Sequence, residues 1–355
     1  MKAMEIFGIK FAPLNVPLKR RLETFVVGAY FSFLYSIIVT GYFGKYVIAI
    51  YCIIYTKILR YFVLLYTIWL YYDNDMHDVT GKRAQFKQWL RTSAMSRYVC
   101  SYFPIKLVKT SDLDPNKLYL FCNFPHGILS TGVCVAFGTD AAGYRELFPG
   151  IEIRIVILDR HYQTPIFREY CRITCGANSS PESVNQLLST KPQAPYTGRA
   201  TVLMVGGAAE ATESKPGTYR ILIKRRKGFV RLALKNGVPI VPVCSFGETN
   251  LYDQVSFPEG SFPKKLLDYI RKKFGIPLIL LKGRGFFQYS FGIIPQRTPV
   301  TVVVGSPMDV PKIEEPTEEQ IDEYHAKFLD RLVDFFEKEK HKYVENADTV
   351  HLEFV

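Results

Sequence analysis

Hydrophobic residues are concentrated at the N-terminal end of the chain. Residues 24–44 contain no charged side chain, and the run is long enough for a helix to cross the hydrocarbon core of a bilayer. A second apolar stretch, Tyr46–Tyr72, follows Lys45 at once. It carries two basic residues near its middle, where charges are costly in lipid, although long side chains can reach the interface. We predict a helical membrane hairpin over residues 23–72 with its turn near Lys45.

Basic residues flank both apolar stretches. They are Arg20 and Arg21 before the first stretch, and Lys82, Arg83, Lys87, Arg91 and Arg97 after the second. Because cytoplasmic flanks are enriched in Lys and Arg, this pattern places the segment 1–22 and the rest of the chain in the cytosol. A hairpin that dips into the bilayer without crossing it has the same sidedness. A signal peptide is disfavoured since the run is too long and lacks a small-residue cleavage site. The main alternative is a buried helix of a soluble protein.

From residue 73 onward the pattern changes to short β-branched runs that alternate with helical ones. The predicted strands are Leu118–Phe121, Ile151–Leu158, Thr201–Val205, Tyr219–Ile223, Val238–Ser245 and Val300–Gly305. The predicted helices between them include Ser179–Ser189 and Gly228–Lys235. This alternation predicts an α/β domain over residues 73–355, with a mixed, mainly parallel sheet covered by helices. Thr317 and Gln320 fit a capping box that opens a C-terminal helix, and the last ten residues read as a loose tail.

One histidine stands at the end of a predicted strand. The run Leu118–Phe121 leads into Asn123–Gly127, in which Pro125 stops the strand and Gly127 permits a tight exit. His126 is therefore held at the carboxyl end of a strand, where open α/β sheets present their reactive groups. We predict that His126 is a general base. The alternative is a histidine that only forms hydrogen bonds within its turn.

A carboxylate follows another strand end. Gly206 and Gly207 come directly after the strand predicted at 201–205, and Glu210 lies just beyond them. Small residues let a ligand approach the backbone, and a carboxylate can orient a histidine and stabilise its imidazolium form. We predict this role for Glu210, with an acidic partner of a helix N-terminus as the alternative. Backbone N–H groups near Gly206, Gly207 or Gly127 are candidates to stabilise an oxyanion.

A dense positive run begins at residue 224 and leads into a glycine at a predicted helix start, an arrangement suited to phosphate. The candidate phosphate-binding residues are Arg226, Lys227, Gly228 and Arg231, together with Arg284 between two later glycines. Coenzyme A carries a pyrophosphate and a 3′-phosphate, so it is a natural ligand. Contact with anionic lipid headgroups is the competing interpretation. The net charge of +12 agrees with either anionic partner.

Several function classes lack their motifs here. The chain has no G-x-S-x-G elbow, no Walker A loop, no G-x-G-x-x-G and no H-E-x-x-H, which argues against lipases, nucleotide enzymes and zincins. The seven cysteines follow no framework, which favours reduced thiols and predicts no metal site. The basic runs lack a nucleic-acid module, so nucleic acid is not an expected partner.

Together these blocks resemble the type 2 diacylglycerol acyltransferase family, which also includes monoacylglycerol and wax-alcohol acyltransferases. The matching blocks are Tyr102–Pro104, Phe124–Gly127, Val205–Glu210, Arg226–Gly247 and Gly283–Gly285. They extend over nearly all of the chain that follows the apolar segment. One departure is Phe124, which stands where the family's His-Pro-His-Gly block has its first histidine. We interpret it as an apolar wall that leaves His126 as the one catalytic histidine.

The resemblance implies an acyltransferase-like fold and an O-acyltransferase that uses acyl-CoA as co-substrate and needs no cofactor. The implied acceptor is diacylglycerol, giving triacylglycerol, with monoacylglycerol or a fatty alcohol as alternatives. The implied location is the endoplasmic reticulum membrane with both termini cytosolic, and lipid droplets are a second location. A homo-oligomer is left open. A thioesterase with the same site, or a non-enzymatic lipid-droplet protein with a decayed site, are the rival hypotheses.

Overall fold

The computed structural model describes residues 4–13, 15–72, 88–274 and 278–355. Several of the basic residues expected to flank the membrane segment, and the domain boundary at residue 73, lie outside these ranges. The described chain begins with a short antiparallel hairpin and three helices. These are β1 (Met4–Ile6), β2 (Ile9–Phe11), α1 (Leu18–Val39), α2 (Lys45–Tyr55) and α3 (Leu59–Tyr72), with a π-helical turn at Thr40–Gly44 between α1 and α2.

The first reversal of these helices does not lie at Lys45. Lys45 has helical torsions (φ −53°, ψ −44°), so the backbone continues from α1 through the π-helical turn into α2. Thr56, directly after α2, is extended (φ −117°, ψ 144°), and α2 and α3 pack against each other beyond it. The predicted turn at Lys45 is therefore wrong, because Gly44 and Lys45 both tolerate helical torsions.

One helix among the described residues, Leu18–Tyr42, is long and apolar enough to cross a membrane, and a third of its most apolar window is buried in the protein. Its buried face includes Val27 and Phe31, which join the hydrophobic core. An ion pair between Glu23 and Arg297 at 2.6 Å fixes its first turns. α1 is thus partly a packing helix, as the soluble alternative expected, while its other face stays exposed.

The rest of the described chain alternates strands and helices. The elements are α4 (Ala94–Tyr102), β3 (Lys106–Lys109), β4 (Leu118–Phe124), α5 (Thr131–Gly138), α6 (Tyr144–Leu147), β5 (Ile151–Ile157), α7 (Asp159–Tyr162), α8 (Phe167–Ile173), β6 (Gly176–Asn178), α9 (Pro181–Ser189), β7 (Gly198–Met204), α10 (Gly207–Ala211), β8 (Tyr219–Ile221), α11 (Gly228–Asn236), β9 (Ile240–Phe246), β10 (Asp253–Gln254), α12 (Phe262–Phe274), β11 (Leu281–Lys282), β12 (Thr301–Val304), α13 (Glu318–Tyr343) and β13 (Leu352–Phe354).

The main sheet has seven strands in the order β3-β12-β9-β4-β7-β5-β6. β9, β4, β7, β5 and β6 run parallel, whereas β12 is antiparallel to β9 and parallel to β3. The predicted mixed, mainly parallel sheet is confirmed. β4 lies at its centre, and its continuous apolar run follows from burial on both faces.

Two hydrophobic cores lie on opposite faces of this sheet. Tyr119 and Phe121 of β4 join the core that also contains α1 residues, whereas Leu120, Cys122 and Phe124 join the core beneath α11 and α13. This division follows from the alternation of side chains along a strand. The direction of each β4 side chain therefore decides on which side of the sheet it can act.

The C-terminal region differs from its prediction in one respect. The capping box is confirmed: Gln320 N–H donates to Thr317 Oγ1 at 3.3 Å, and Thr317 N–H donates to Gln320 Oε1 at 3.0 Å. The prediction that the last ten residues form a loose tail is wrong, because β13 pairs with β8 in a separate two-stranded parallel sheet. Leu352 and Phe354 of β13 pack on the second core, and this burial holds the end of the chain in place.

Candidate active site

A large apolar cavity lies between α1 and the carboxyl ends of the parallel strands. Its volume is about 700 Å³, within the ~300–1,000 Å³ typical of ligand pockets. α1 contributes much of one wall, from Tyr30 to Val39, and the π-helical turn adds Tyr42. Among its polar groups are the side chains of His126, His161 and Arg226. The cavity therefore suits a largely apolar ligand with a few polar atoms.

The turn after β4 brings His126 to this cavity. The Phe124–Pro125 peptide is cis, and Gly127 has φ +62°, a conformation that favours glycine. The Asn123 side chain donates to the carbonyl of Pro125 at 3.3 Å and accepts from Ser245 Oγ at 2.7 Å. The strand end, its rigid turn and the histidine thus lie where the sequence predicted.

The imidazole of His126 has a defined tautomer. Nδ1 lies 2.9 Å from the carbonyl oxygen of Gly127, and Ser130 Oγ lies 3.2 Å from Nδ1. Because a carbonyl oxygen only accepts, Nδ1 carries the proton and Nε2 has the free lone pair. Nε2 has no hydrogen-bond partner among the described residues. Burial lowers the pKa of His126 below its usual value, so the ring is neutral near pH 7 and can accept a proton.

Glu210 touches His126, but through the main chain. Its carboxylate is buried, with 1% of the residue exposed. Oε1 accepts from the backbone N–H of His126 at 2.5 Å, and Oε2 accepts from the backbone N–H of Leu222 at 2.9 Å. Burial raises the pKa of Glu210 to about 7 against the opposing effect of these two N–H groups. Glu210 lies next to His126, but the prediction that its carboxylate orients the imidazole is wrong, because the carboxylate binds the backbone of the turn.

The three candidate glycines occupy different environments. A Cβ atom on Gly206 would lie 1.9 Å from Glu210 Oε2, and one on Gly127 would lie 2.5 Å from Glu248 Cγ. A side chain at either position would collide with a glutamate that packs against the backbone there, which explains the two glycines. Gly207 has φ +59°, has no atom within 4 Å of its Cβ position and lines the cavity. Of the three, Gly207 is best placed to offer its backbone to a ligand.

Glu248 is a buried carboxylate that the sequence reasoning did not select. Oε1 and Oε2 each accept one backbone N–H, from Thr131 and Gly132, both at 2.7 Å. These are N–H groups of the first turn of α5, which lack partners within the helix. Burial raises the pKa of Glu248 to about 7. Its position after a strand was visible in the sequence, but its partners lie more than a hundred residues away.

Two buried carboxylates therefore hold the loop that carries the histidine. Glu210 binds the loop at His126, and Glu248 binds it at Thr131 and Gly132. Between them, Ser130 Oγ donates to the carbonyl of His126 at 2.8 Å. The loop is fixed at both ends, so the position of Nε2 is set by long-range contacts.

The predicted phosphate-binding residues separate into distinct groups. Arg226 lines the cavity. Lys227 forms an ion pair with Asp322, and Arg231 forms an ion pair with Glu318 at 2.5 Å. Both carboxylates belong to α13, and both ion pairs lie at the protein surface.

Gly228 and Arg284 complete the set. Gly228 begins α11, with open space at its Cβ position. Arg284 is buried, donates to the carbonyl of Gly285 at 3.1 Å and stacks on Tyr289 at 4.3 Å. The structure therefore brings Arg226 to the cavity and places Arg284 within a loop that it stabilises.

Comparison with known proteins identifies the family. The family model described as diacylglycerol acyltransferase matches residues 51–354. The chain belongs to the diacylglycerol acyltransferase family. The match includes every block described above, from the tyrosine–phenylalanine–proline motif to the end of α13. The protein is therefore an acyltransferase.

Relatives from distant organisms match the chain over most of its length. The chain is 40% identical to 2-acylglycerol O-acyltransferase 1 of Bos taurus, over 94% of this chain and 96% of the relative. It is 37% identical to diacylglycerol O-acyltransferase 2 of Dictyostelium discoideum, with the same coverage of both chains. Among solved structures, the 1-acyl-sn-glycerophosphate acyltransferase PlsC of Thermotoga maritima is 13% identical, over 89% of this chain and 97% of that one. Its TM-score of 0.38 is too low to support an argument.

The position at which this acyltransferase departs from the family block is not in the cavity. Phe124 has no exposed surface and lies in the core on the opposite face of the sheet, where it packs against Phe328 with ring centroids 6.4 Å apart. The expectation that Phe124 forms a wall of the site is wrong, because Phe124 is still part of β4 and points to the same core as Leu120 and Cys122. His126 reaches the cavity because the chain leaves the strand at Pro125. The side chain at position 124 therefore faces the core and not the cavity.

Proposed function

We propose that the protein transfers a fatty acyl group from acyl-CoA to the hydroxyl of diacylglycerol, with His126 as general base. The observation that supports this most is that His126 lines an apolar cavity and that its Nε2 has no hydrogen-bond partner within the described ranges of the chain. A lipid alcohol fits such a cavity through its chains and offers a single proton to a base. No cofactor is required, since the thioester of acyl-CoA supplies the activated acyl group.

In the proposed reaction, the acceptor hydroxyl donates a hydrogen bond to Nε2. Its oxygen attacks the thioester carbonyl as its proton moves to Nε2, and the resulting imidazolium keeps its Nδ1–H bond to the Gly127 carbonyl. Collapse of the tetrahedral intermediate forms the ester, breaks the C–S bond and returns the proton to the leaving coenzyme A sulfur. The backbone N–H of Gly207 is our candidate for stabilising the oxyanion. Glu210 and Glu248 act by holding the loop.

We assign the coenzyme A phosphates to the basic N-terminal end of α11. Arg226 lies on the cavity wall and Gly228 opens the helix, whose N-terminus favours anions. Lys227 and Arg231 are paired with carboxylates at the exposed surface. Exposed pairs contribute only about 0–1 kcal/mol, so phosphate can replace these partners at little cost.

We further propose that residues 23–72 associate with a membrane, that of the endoplasmic reticulum or a lipid droplet, with both termini cytosolic. α2 and α3 contain no buried residue, and large apolar side chains such as Ile50, Ile54, Phe62 and Leu65 are mainly exposed. Exposed apolar surface of this extent favours contact with lipid. α1 links this surface to the cavity, so lipid substrates can enter along it.

A second acceptor, monoacylglycerol, is supported by a separate observation. The 40% identity with a 2-acylglycerol O-acyltransferase covers 94% of this chain and lies between the 37% and 41% identities with two diacylglycerol O-acyltransferases. A competition assay between the acceptors decides between them.

The test uses membranes that contain the full-length protein and labelled acyl-CoA, with diacylglycerol, monoacylglycerol, a fatty alcohol or no added acceptor. A general base contributes roughly 10²–10⁴-fold, so His126→Ala is expected to lower acyl transfer by at least about a hundredfold. His341→Ala, at an exposed histidine of α13, is the matched control and keeps full activity. Release of mainly free fatty acid by the wild type would support a thioesterase. No turnover with any acceptor would support a non-enzymatic role.

A further inference from the structure

A second histidine, His161, lines the same cavity. It lies in α7, directly after β5, and so at the same end of the sheet as His126. Its Nδ1 forms a hydrogen bond of 2.5 Å with the hydroxyl of Tyr42, in the π-helical turn that follows α1. This pair belongs to no motif described above and has no part in the proposed proton transfer.

The pair is held in place by its surroundings. The ring of His161 packs edge-on against Phe167, with centroids 4.7 Å apart. The backbone next to Tyr42 also packs tightly against the segment that follows α7, since a Cβ atom on Gly41 would lie 2.2 Å from Thr164 Cγ2. The hydrogen bond therefore forms between two closely packed elements, and packing of this kind helps to position a binding group.

His161 is one of the few polar residues that line the apolar cavity, and one of its ring nitrogens is available to a ligand. With Nδ1 engaged by Tyr42, Nε2 has no hydrogen-bond partner among the described residues. Burial, together with the nearby His126, lowers the pKa of His161 to about 4, so the ring is neutral at physiological pH. A neutral imidazole in such a place suits an uncharged oxygen and not a phosphate. When Tyr42 donates to Nδ1, the Nε2–H group can donate to an ester carbonyl or a hydroxyl oxygen; in the other tautomer, Nε2 can accept from a hydroxyl.

We propose that the His161–Tyr42 pair binds a second, non-reacting oxygen of an acylglycerol acceptor while the reacting hydroxyl is at His126. This inference rests on the proposed function and adds a basis for acceptor choice. An acylglycerol offers an ester carbonyl or another hydroxyl to the pair. A long-chain alcohol has only its reacting oxygen, so it gains nothing from His161. The pair thus favours acylglycerols over simple alcohols.

The test compares the wild type with His161→Phe and Tyr42→Phe in membranes. For both variants, kcat/KM for the acylglycerol is expected to fall about tenfold, the equivalent of roughly 1.4 kcal/mol. The fall should lie in KM for the acceptor, while KM for acyl-CoA and the rate with hexadecanol stay unchanged. His161→Gln, which keeps a hydrogen-bonding group, should recover part of the loss. Tyr51→Phe, at an exposed tyrosine of α2, is the matched control.

Binding of labelled diacylglycerol to protein that carries His126→Ala gives a readout that needs no turnover. Adding His161→Phe to it should weaken diacylglycerol binding about tenfold and leave hexadecanol binding unchanged. Unchanged diacylglycerol affinity, or equal losses for both ligands, would overturn the inference. Failure of the wild type to transfer acyl groups to any acceptor would instead overturn the proposed function, since the binding result does not depend on it.

Discussion

Restoring the family histidine with Phe124→His tests the claim that position 124 is remote from the reaction. Phe124 has no exposed surface and packs in the core under α13. The substitution leaves an imidazole in a site built for an apolar ring. We therefore expect it to lower the stability of the fold without a gain in the rate of acyl transfer by the folded enzyme.

The size of the stability loss follows from the burial of Phe124. An unpartnered buried polar group costs about 1–3 kcal/mol, and part of the ~1.5–3 kcal/mol from burying a phenylalanine is lost as well. The free energy of unfolding should fall by about 2–4 kcal/mol. Phe246→His is the matched control, because Phe246 is equally buried near the end of the neighbouring strand and packs against Phe336 at 5.5 Å.

The assay combines thermal unfolding in detergent with acyl transfer normalised to folded protein. Both variants should lose similar stability and keep a rate within about twofold of the wild type. A rise of tenfold or more in kcat for Phe124→His, but not for Phe246→His, would refute the reasoning. It would mean that a side chain at 124 reaches the reacting atoms.

Three further predictions concern the loop and the coenzyme. Glu248→Gln removes one of the two acceptors for the N–H groups of Thr131 and Gly132, so the free energy of unfolding should fall by about 1–3 kcal/mol. The variant should also lower kcat by a larger factor than it changes KM, and an unchanged kcat would show that the loop does not need this anchor. The folded-state pKa of Glu248, raised to about 7, means that the folded protein binds more protons than the unfolded chain between pH 4.5 and 7, and that this group's contribution to stability falls as pH rises through that window. The stability difference between wild type and Glu248→Gln should therefore shrink from pH 5 to pH 8 in thermal melts, and a difference that grew would contradict the assignment. Arg226→Ala should raise KM for acyl-CoA several-fold and leave KM for the acceptor unchanged, whereas Lys235→Ala at the other end of α11 should change neither; equal effects of the two variants would remove Arg226 from the coenzyme site.

The position of the candidate base was predictable from local sequence. Proline, glycine and an apolar run each act within a few residues of where they stand, so the strand and turn around His126 could be located without tertiary information. The alternation of strands and helices predicted the mainly parallel sheet for the same reason, and the capping box at Thr317 needs only four residues. These features depend on short-range geometry.

The partners of these elements could not be predicted in the same way. Glu210 binds a main-chain group 84 residues away, and Glu248 binds one 117 residues away. The sequence contains both glutamates but not the direction in which either side chain points. The inference that Glu210 meets the histidine was right about proximity and placed the contact on the ring instead of the backbone N–H.

The sequence by itself determined that strands alternate with helices after residue 73, which stretch is apolar enough for a membrane, and that a histidine stands at a strand end. The tertiary structure decided the rest: that α1 forms a wall of the cavity, that Phe124 faces the opposite core, that β13 closes onto β8, and that His161 meets Tyr42. The physical reason is the distance along the chain over which each kind of interaction acts. Backbone conformation is set largely by neighbouring residues, whereas the environment of a side chain is set by elements that come together only on folding.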